Sequence, residues 1–140
     1  MNIDGVTTGI VLDHISAGES LKIYELLKLD RLDCSVAIIQ NARSTKYGKK
    51  DIIKIDEDIP LDFAALGYID SKITVNRVCD HKLIEKLHVK LPEELVDIIT
   101  CHNPRCITSV EQSITQKFKL VDPDKKEYHC VYCDSEYDGD

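Results

Sequence analysis

No apolar run approaches the roughly 20 residues needed to cross a bilayer. The start, Met1-Asn2-Ile3-Asp4, lacks the basic and apolar regions of a signal peptide. A soluble cytoplasmic protein without membrane contact is expected. Positive charge is also short: 18 Lys and Arg face 25 Asp and Glu, a formal charge of −7. That balance argues against a duty that depends on neutralising a nucleic-acid backbone. Tryptophan is absent, although an apolar content of 43% suffices for a real core. There is no Walker loop, G-x-G-x-x-G, H-E-x-x-H or serine-triad signature, so catalysis has no support. Repeats and low-complexity segments are missing too.

Cysteine is what the chain has in an informative pattern. Cys101 and Cys106 form a C-x4-C pair, and Cys130 and Cys133 a C-x2-C pair. Each pair can form a tight turn aiming two thiolates at one point, and four thiolates make a closed tetrahedral zinc site. With four sulfur ligands no position is left for a catalytic water, so such a zinc is structural. Two disulfides or four reduced core thiols are the alternatives, and the paired spacing favours the metal. His102 and His129 each adjoin a cysteine and would be outer partners, or one of them a ligand in a mixed site. Residues 95–140 have few apolar side chains and need such a staple to hold together. Cys34 and Cys79 border apolar runs and read as small buried hydrophobes.

Before that module, 5–13 reads as a strand and 17–28 as a helix capped by Ser16, with Glu19 completing a capping box. Strands follow over 34–40 and 51–56, joined by a polar connection at 41–48. Pro60 opens a short helix closed by Gly67, and strands over 73–79 and 82–89 complete the series. Strand, helix, strand, strand, helix, strand is the order of the split βαβ, ferredoxin-like arrangement. The expected fold is α+β: two helices on one face of an antiparallel sheet, then a small all-β zinc-binding domain. Leu91-Pro92 has the character of a boundary, which divides the chain into 1–92 and 93–140.

Charge is uneven. Arg43, Lys46, Lys49, Lys50 and Lys54 face a single acid, Asp51, in that stretch. Lys50 and Lys54 leave the same face of a strand and suit a polyphosphate; the plain alternative is a solvated strand face. A turn at Asp13-His14 offers a carboxylate for ribose hydroxyls and an imidazole for phosphate.

Several stretches in order carry a more specific signal. They are Gly9-Ile10-Val11-Leu12-Asp13-His14-Ile15, Gly48-Lys49-Lys50-Asp51-Ile52-Ile53-Lys54-Ile55, Thr74-Val75-Asn76-Arg77-Val78, Leu91-Pro92-Glu93, and the cysteine pairs with Cys130-x-Tyr132-Cys133. Together they resemble the regulatory chain of aspartate carbamoyltransferase, over nearly the whole length. The resemblance implies an N-terminal nucleotide-binding domain, a C-terminal zinc domain that contacts the catalytic chain, and no active site. It further implies regulatory homodimers that bridge catalytic trimers, with cytidine triphosphate (CTP) or adenosine triphosphate (ATP) as effectors.

Carried over by position, the base would lie near Ile3, Asp4, Gly5 and Val6, opposite Val78 and His81. Val11, Asp13 and Lys54 would approach the ribose. His14, Lys50 and Lys86 would take the phosphates, and Asn76 and Leu83 line the same pocket. A zinc ribbon binding nucleic acid is a competing reading, which the acidic balance disfavours. An enzyme on a ferredoxin-like sheet is a third, and it lacks a catalytic signature.

Overall fold

The computed structural model describes residues 5–139, which fall into two compact units divided between Lys90 and Leu91. In the first unit β1 (Gly9–Ser16), β2 (Val36–Ser44), β3 (Gly48–Ile55), β4 (Thr74–Cys79) and β5 (Lys82–His88) make one sheet in the order β2-β3-β1-β4-β5. Every pairing is antiparallel. α1 (Ser20–Leu26) joins β1 to β2, and α2 (Phe63–Ile69) joins β3 to β4. Each connection skips one strand position, so β1 to β4 have split βαβ topology and β5 adds a strand beside β4.

The alternation of side chains explains the two faces. Ile10, Leu12, Ile53, Ile55 and Val75 point to one side and bury against Ile23 of α1 and Leu66 of α2. Directly opposite residues share a face, so the other side carries a register row through all five strands: Ala37, Lys54, Val11, Asn76 and Lys86. That face has only a small apolar cluster, Val6, Val11, Ile52 and Val78.

Several local expectations shift. β1 starts at Gly9 and continues through Ser16, so Asp13-His14 is a bulge inside a strand and not a turn after it. Ser16 does not cap a helix: its N–H donates to Asp70 Oδ2 at 2.6 Å, and Gly18 (φ 96°) lets the chain turn before α1 starts at Ser20. Much of the presumed connection at 41–48 belongs to the β2–β3 hairpin. Gly67 lies within α2 and does not end it; Asp62 caps the start of the helix, its side chain accepting from the Ala65 N–H.

Asp51 fastens the β1–α1 turn. Fully buried, it accepts from the N–H groups of Gly18 (3.0 Å), Ser20 (3.3 Å) and Asn41 (3.0 Å). Burial pushes its carboxyl up, but the Ser20 side chain and these N–H donors outweigh that and hold it below the usual range. A depressed folded-state value means that its stabilisation is present above the unfolded value of about 3.9 and fades as pH falls through the lower one. Asp51→Asn aims an amide N–H₂ at N–H donors and should cost about 2 kcal/mol in urea unfolding. A change within about 0.5 kcal/mol would show that the carboxylate is not the fastening.

In the second unit β6 (Glu94–Val96), β7 (Lys117–Asp122) and β8 (Glu127–Cys130) form a three-stranded antiparallel sheet. One short helical turn, α3 (Ile107–Val110), interrupts the loop between β6 and β7. The row Leu95–Phe118–Cys130 crosses the sheet, so its buried apolar face runs into the cysteines. Among the described residues no helix is long and apolar enough to cross a membrane.

Candidate functional site: a sulfur cluster and a graded sheet face

Two turns of backbone, one for each cysteine pair, bring the cysteines together. Cys101 follows β6, and its N–H donates to Gln116 Oε1 at 3.0 Å. The Cys106 N–H donates to the Asn103 carbonyl at 3.0 Å, closing the C-x4-C turn. Cys130 ends β8, and the Asp134 N–H donates back to its carbonyl at 2.8 Å, closing the C-x2-C turn.

The four sulfurs lie within 4.8 Å of one another, with Cys101–Cys133 and Cys106–Cys130 each at 3.7 Å. A disulfide needs about 2.05 Å, so these are not disulfides. A tetrahedron with Zn–S bonds of about 2.3 Å has edges of about 3.8 Å, which the sulfur pairs match. His102 pairs with Asp138 at 2.7 Å, and His129 with Glu127 at 2.8 Å. Both stand outside the sulfur group.

Charge chemistry explains why such a cluster needs a cation. Burial pushes the Cys101 thiol up to about 12 and raises Cys130 as well. Burial also raises Cys133, but hydrogen bonds from Ser135, then Asn103, outweigh it and bring that thiol to about 6. A divalent cation would supply what the remaining thiols lack and hold all four as thiolates.

The helix-free face of the first sheet gathers the other expected residues, apart from Ile3 and Asp4, which lie outside the described residues. At one end Val6 and Val78 pack together, and Leu83 sits opposite Val78 on β5. His81 is exposed in the β4–β5 turn, with φ 64°, its N–H donating to the Thr7 carbonyl at 2.9 Å. Gly5 is exposed just before Val6.

The middle holds the row with Lys54, Val11, Asn76 and Lys86. Here Asn76 donates to the Val11 carbonyl at 3.1 Å. At the far end Asp13 is buried and pairs with Lys50 at 2.9 Å, while its Oδ1 also accepts from the His14 N–H at 2.7 Å. His14, at φ 58°, is turned out by the bulge and meets Thr74 Oγ1 at 3.1 Å.

This end is basic. Burial is the first cause that lowers the His14 pKa; Asp13 opposes, and the charges of Lys50, Lys86 and Lys46 lower it further. Lysines from three segments therefore converge on one imidazole. For Asp13, burial raises the carboxyl, but the Lys50 ammonium and the His14 N–H hold it below the usual range. Asp13 Oδ2 and Asn76 Oδ1 are buried on this face with no donor among the described residues, an unmet demand that a hydroxyl-bearing ligand could answer. Sequence reasoning missed Thr74 and Tyr47, which are joined to His14 only through strand pairing and the hairpin.

Residues 1–90 match the family described as aspartate carbamoyltransferase regulatory chain, allosteric domain. Residues 93–140 match its metal binding domain. The chain belongs to this family. It is 51% identical to the aspartate carbamoyltransferase regulatory chain of Clostridium acetobutylicum, over 99% of this chain and 95% of that one. The corresponding chain of Clostridium tetani is 49% identical, over 98% and 96%, and that of Bifidobacterium longum 45%, over 97% and 98%. The second unit is thus a metal-binding domain whose clustered cysteines fit a structural metal, and the first is an allosteric domain. A regulatory chain implies a catalytic subunit as partner.

Proposed function

We propose that the chain is a non-catalytic subunit that senses CTP and ATP on the helix-free face of its first sheet. It transmits their binding to aspartate carbamoyltransferase catalytic chains through a zinc-stabilised second domain. The division is 1–92 for nucleotide and 93–140 for metal and partner. The observation that carries this reading is the gradient on the sheet face: an apolar end at Val6 and Val78, buried acceptors at Asp13 and Asn76, and a basic end at His14, Lys50 and Lys86. Base, sugar and phosphates have that order of polarity.

In this arrangement Gly5, Val6, Val78, His81 and Leu83 border the base, together with Ile3 and Asp4. Val11, Asp13, Lys54 and Asn76 meet the ribose. His14, Lys50 and Lys86 take the phosphates.

Cys101, Cys106, Cys130 and Cys133 hold one zinc. Sulfur alone fills its shell, which suits a structural role. The exposed Ile107, Val110, Val131 and Tyr132 of the second domain give a catalytic chain an apolar surface to cover. Among the described residues β2 and β5 are unpaired sheet edges, and β2 carries the exposed Ile39, which fits a homodimer that could bridge two trimers. An effector alters the partner only if it binds two states of the assembly unequally.

Calorimetric titration of the full chain with cytidine, CTP and ATP tests the reading. In Lys50→Ala the triphosphate should lose about 10- to 150-fold in affinity, equivalent to about 1.5–3 kcal/mol for a charged contact, while cytidine changes little. Lys50 also neutralises buried Asp13, so some stability is lost too, but that loss would not separate nucleoside from triphosphate. Equal weakening of both, or no nucleotide binding by the wild type, would refute the assignment.

A further inference from the structure

Beyond His14 and Lys50 the basic end continues into a cluster that the nucleotide assignment leaves unused. Tyr47, in the β2–β3 turn, meets the His14 ring in a T-shaped arrangement, with centroids 6.3 Å apart. Two ammonium groups lie by the same ring: Lys72 Nζ at 4.9 Å and Lys46 Nζ at 5.3 Å from its centroid. Lys46 comes from the β2–β3 turn and Lys72 from the α2–β4 turn, so the fold brings them together from separate segments. Neither has a carboxylate partner among the described residues, although the chain as a whole is acidic. The ring, worth about 0.5–1 kcal/mol per exposed cation, holds the two ammonium groups close to each other but neutralises neither charge. An anion would.

Position decides which anion. The cluster adjoins the phosphate end of the graded face, on the side away from Val6 and Val78. His14 packs against the Tyr47 ring, and its Nδ1 meets Thr74. Its charge environment already includes Lys46 beside Lys50 and Lys86. An anion here is therefore continuous with the chain of phosphates at His14 and Lys50, and lies farthest from the base.

We propose that Lys46 and Lys72, gathered on Tyr47, seat the terminal phosphate of the effector and so make the site measure the length of the phosphate chain. The inference rests on the nucleotide reading above. Tyr47 acts as a positioning residue, holding two mobile lysine stems where a flexible triphosphate ends. Base recognition is left to the other end of the sheet.

The test is titration of the full chain with CTP, CDP and CMP at fixed salt, for wild type, Lys72→Ala, Lys46→Ala, Tyr47→Leu and Lys82→Ala. Lys82 is an exposed cation at the β4–β5 end, and its removal changes net charge equally. Lys72→Ala and Lys46→Ala should each weaken CTP about 5- to 20-fold, the range of one exposed charged contact, and leave CMP within about twofold. Tyr47→Leu should lose part of the CTP preference without loss of charge, and Lys82→Ala should change neither ligand.

Wild type that binds no nucleotide removes the functional reading and this inference with it. Wild type that prefers CTP while Lys72→Ala and Lys46→Ala keep that preference removes the inference alone. So does an equal loss for CTP in Lys82→Ala, which would reduce the effect to net charge.

Discussion

Treatment with a mercurial reagent and a chelator is expected to unfold residues 91–140 and leave the five-stranded sheet of the first unit folded. The second unit buries few large side chains (Leu95, Phe118 and Tyr128 are the chief ones), and its central row ends on Cys130. A unit this small does not bury enough apolar surface to offset its chain entropy. Structural zinc contributes about 10–16 kcal/mol of apparent binding free energy in small peptides, which is then folding free energy.

Without the metal, four sulfurs within 4.8 Å have no cation between them. Amide exchange should show protection lost over 94–130 and kept over 9–88. In the assembly the stripped chain should release catalytic trimers that stay active and no longer respond to nucleotides. Cys130→Ser should reproduce the effect. Freshly purified protein without about one zinc per chain, or a second unit still protected after stripping, would contradict the assignment.

Gly67→Ala should lower the stability of the first unit by about 2 kcal/mol net, a Tm drop on the order of 10 °C. Two effects oppose each other here. Inside a helix alanine is favoured over glycine by about 1 kcal/mol. However, a Cβ at Gly67 would stand 1.9 Å from the Lys90 carbonyl oxygen and 2.8 Å from its carbon. Both are backbone atoms, held near by the Val89 N–H bond to the Ile73 carbonyl, so no side chain can swing aside. Overpacking of this kind costs about 3 kcal/mol or more when backbone must move, and it wins. A stabilised Gly67→Ala protein would mean that Lys90 yields freely and that only helix propensity matters.

The same glycine marks where sequence reasoning stops. Read locally, Gly67 after Leu66 looks like a helix end; its true cause is the backbone of Lys90, just past β5 and 23 residues farther along. Ser16 misleads similarly, because Ser16 and Glu19 have capping-box spacing but the Ser16 N–H is claimed by Asp70, a partner far along the chain. What was legible depended on short-range pattern. Alternation of Ile53 and Ile55 against Ile52 and Lys54 identifies both faces of β3, and paired cysteine spacing identifies the sulfur cluster. Asp13, Lys50 and Lys54 could be named through resemblance. That Lys54, Val11, Asn76 and Lys86 form one row depends on strand register, and Tyr47 and Lys72 meet only once the two turns are placed.

That row has a consequence for when the site comes into being. Its residues come from β2, β3, β1, β4 and β5, so neighbours on the face are distant along the chain, and the last of them, on β5, is made last. A chain emerging from the ribosome has β1 and the β2–β3 hairpin long before it has Lys86, and such long-range pairings form late because loop closure must precede them. No partly assembled sheet offers the full set of contacts. A ligand spanning the row therefore recognises the closed sheet alone. By mass action it would add about 2.7 kcal/mol at a hundredfold excess over its Kd, and that gain would appear in the opening of the whole sheet and not in the fraying of any one strand.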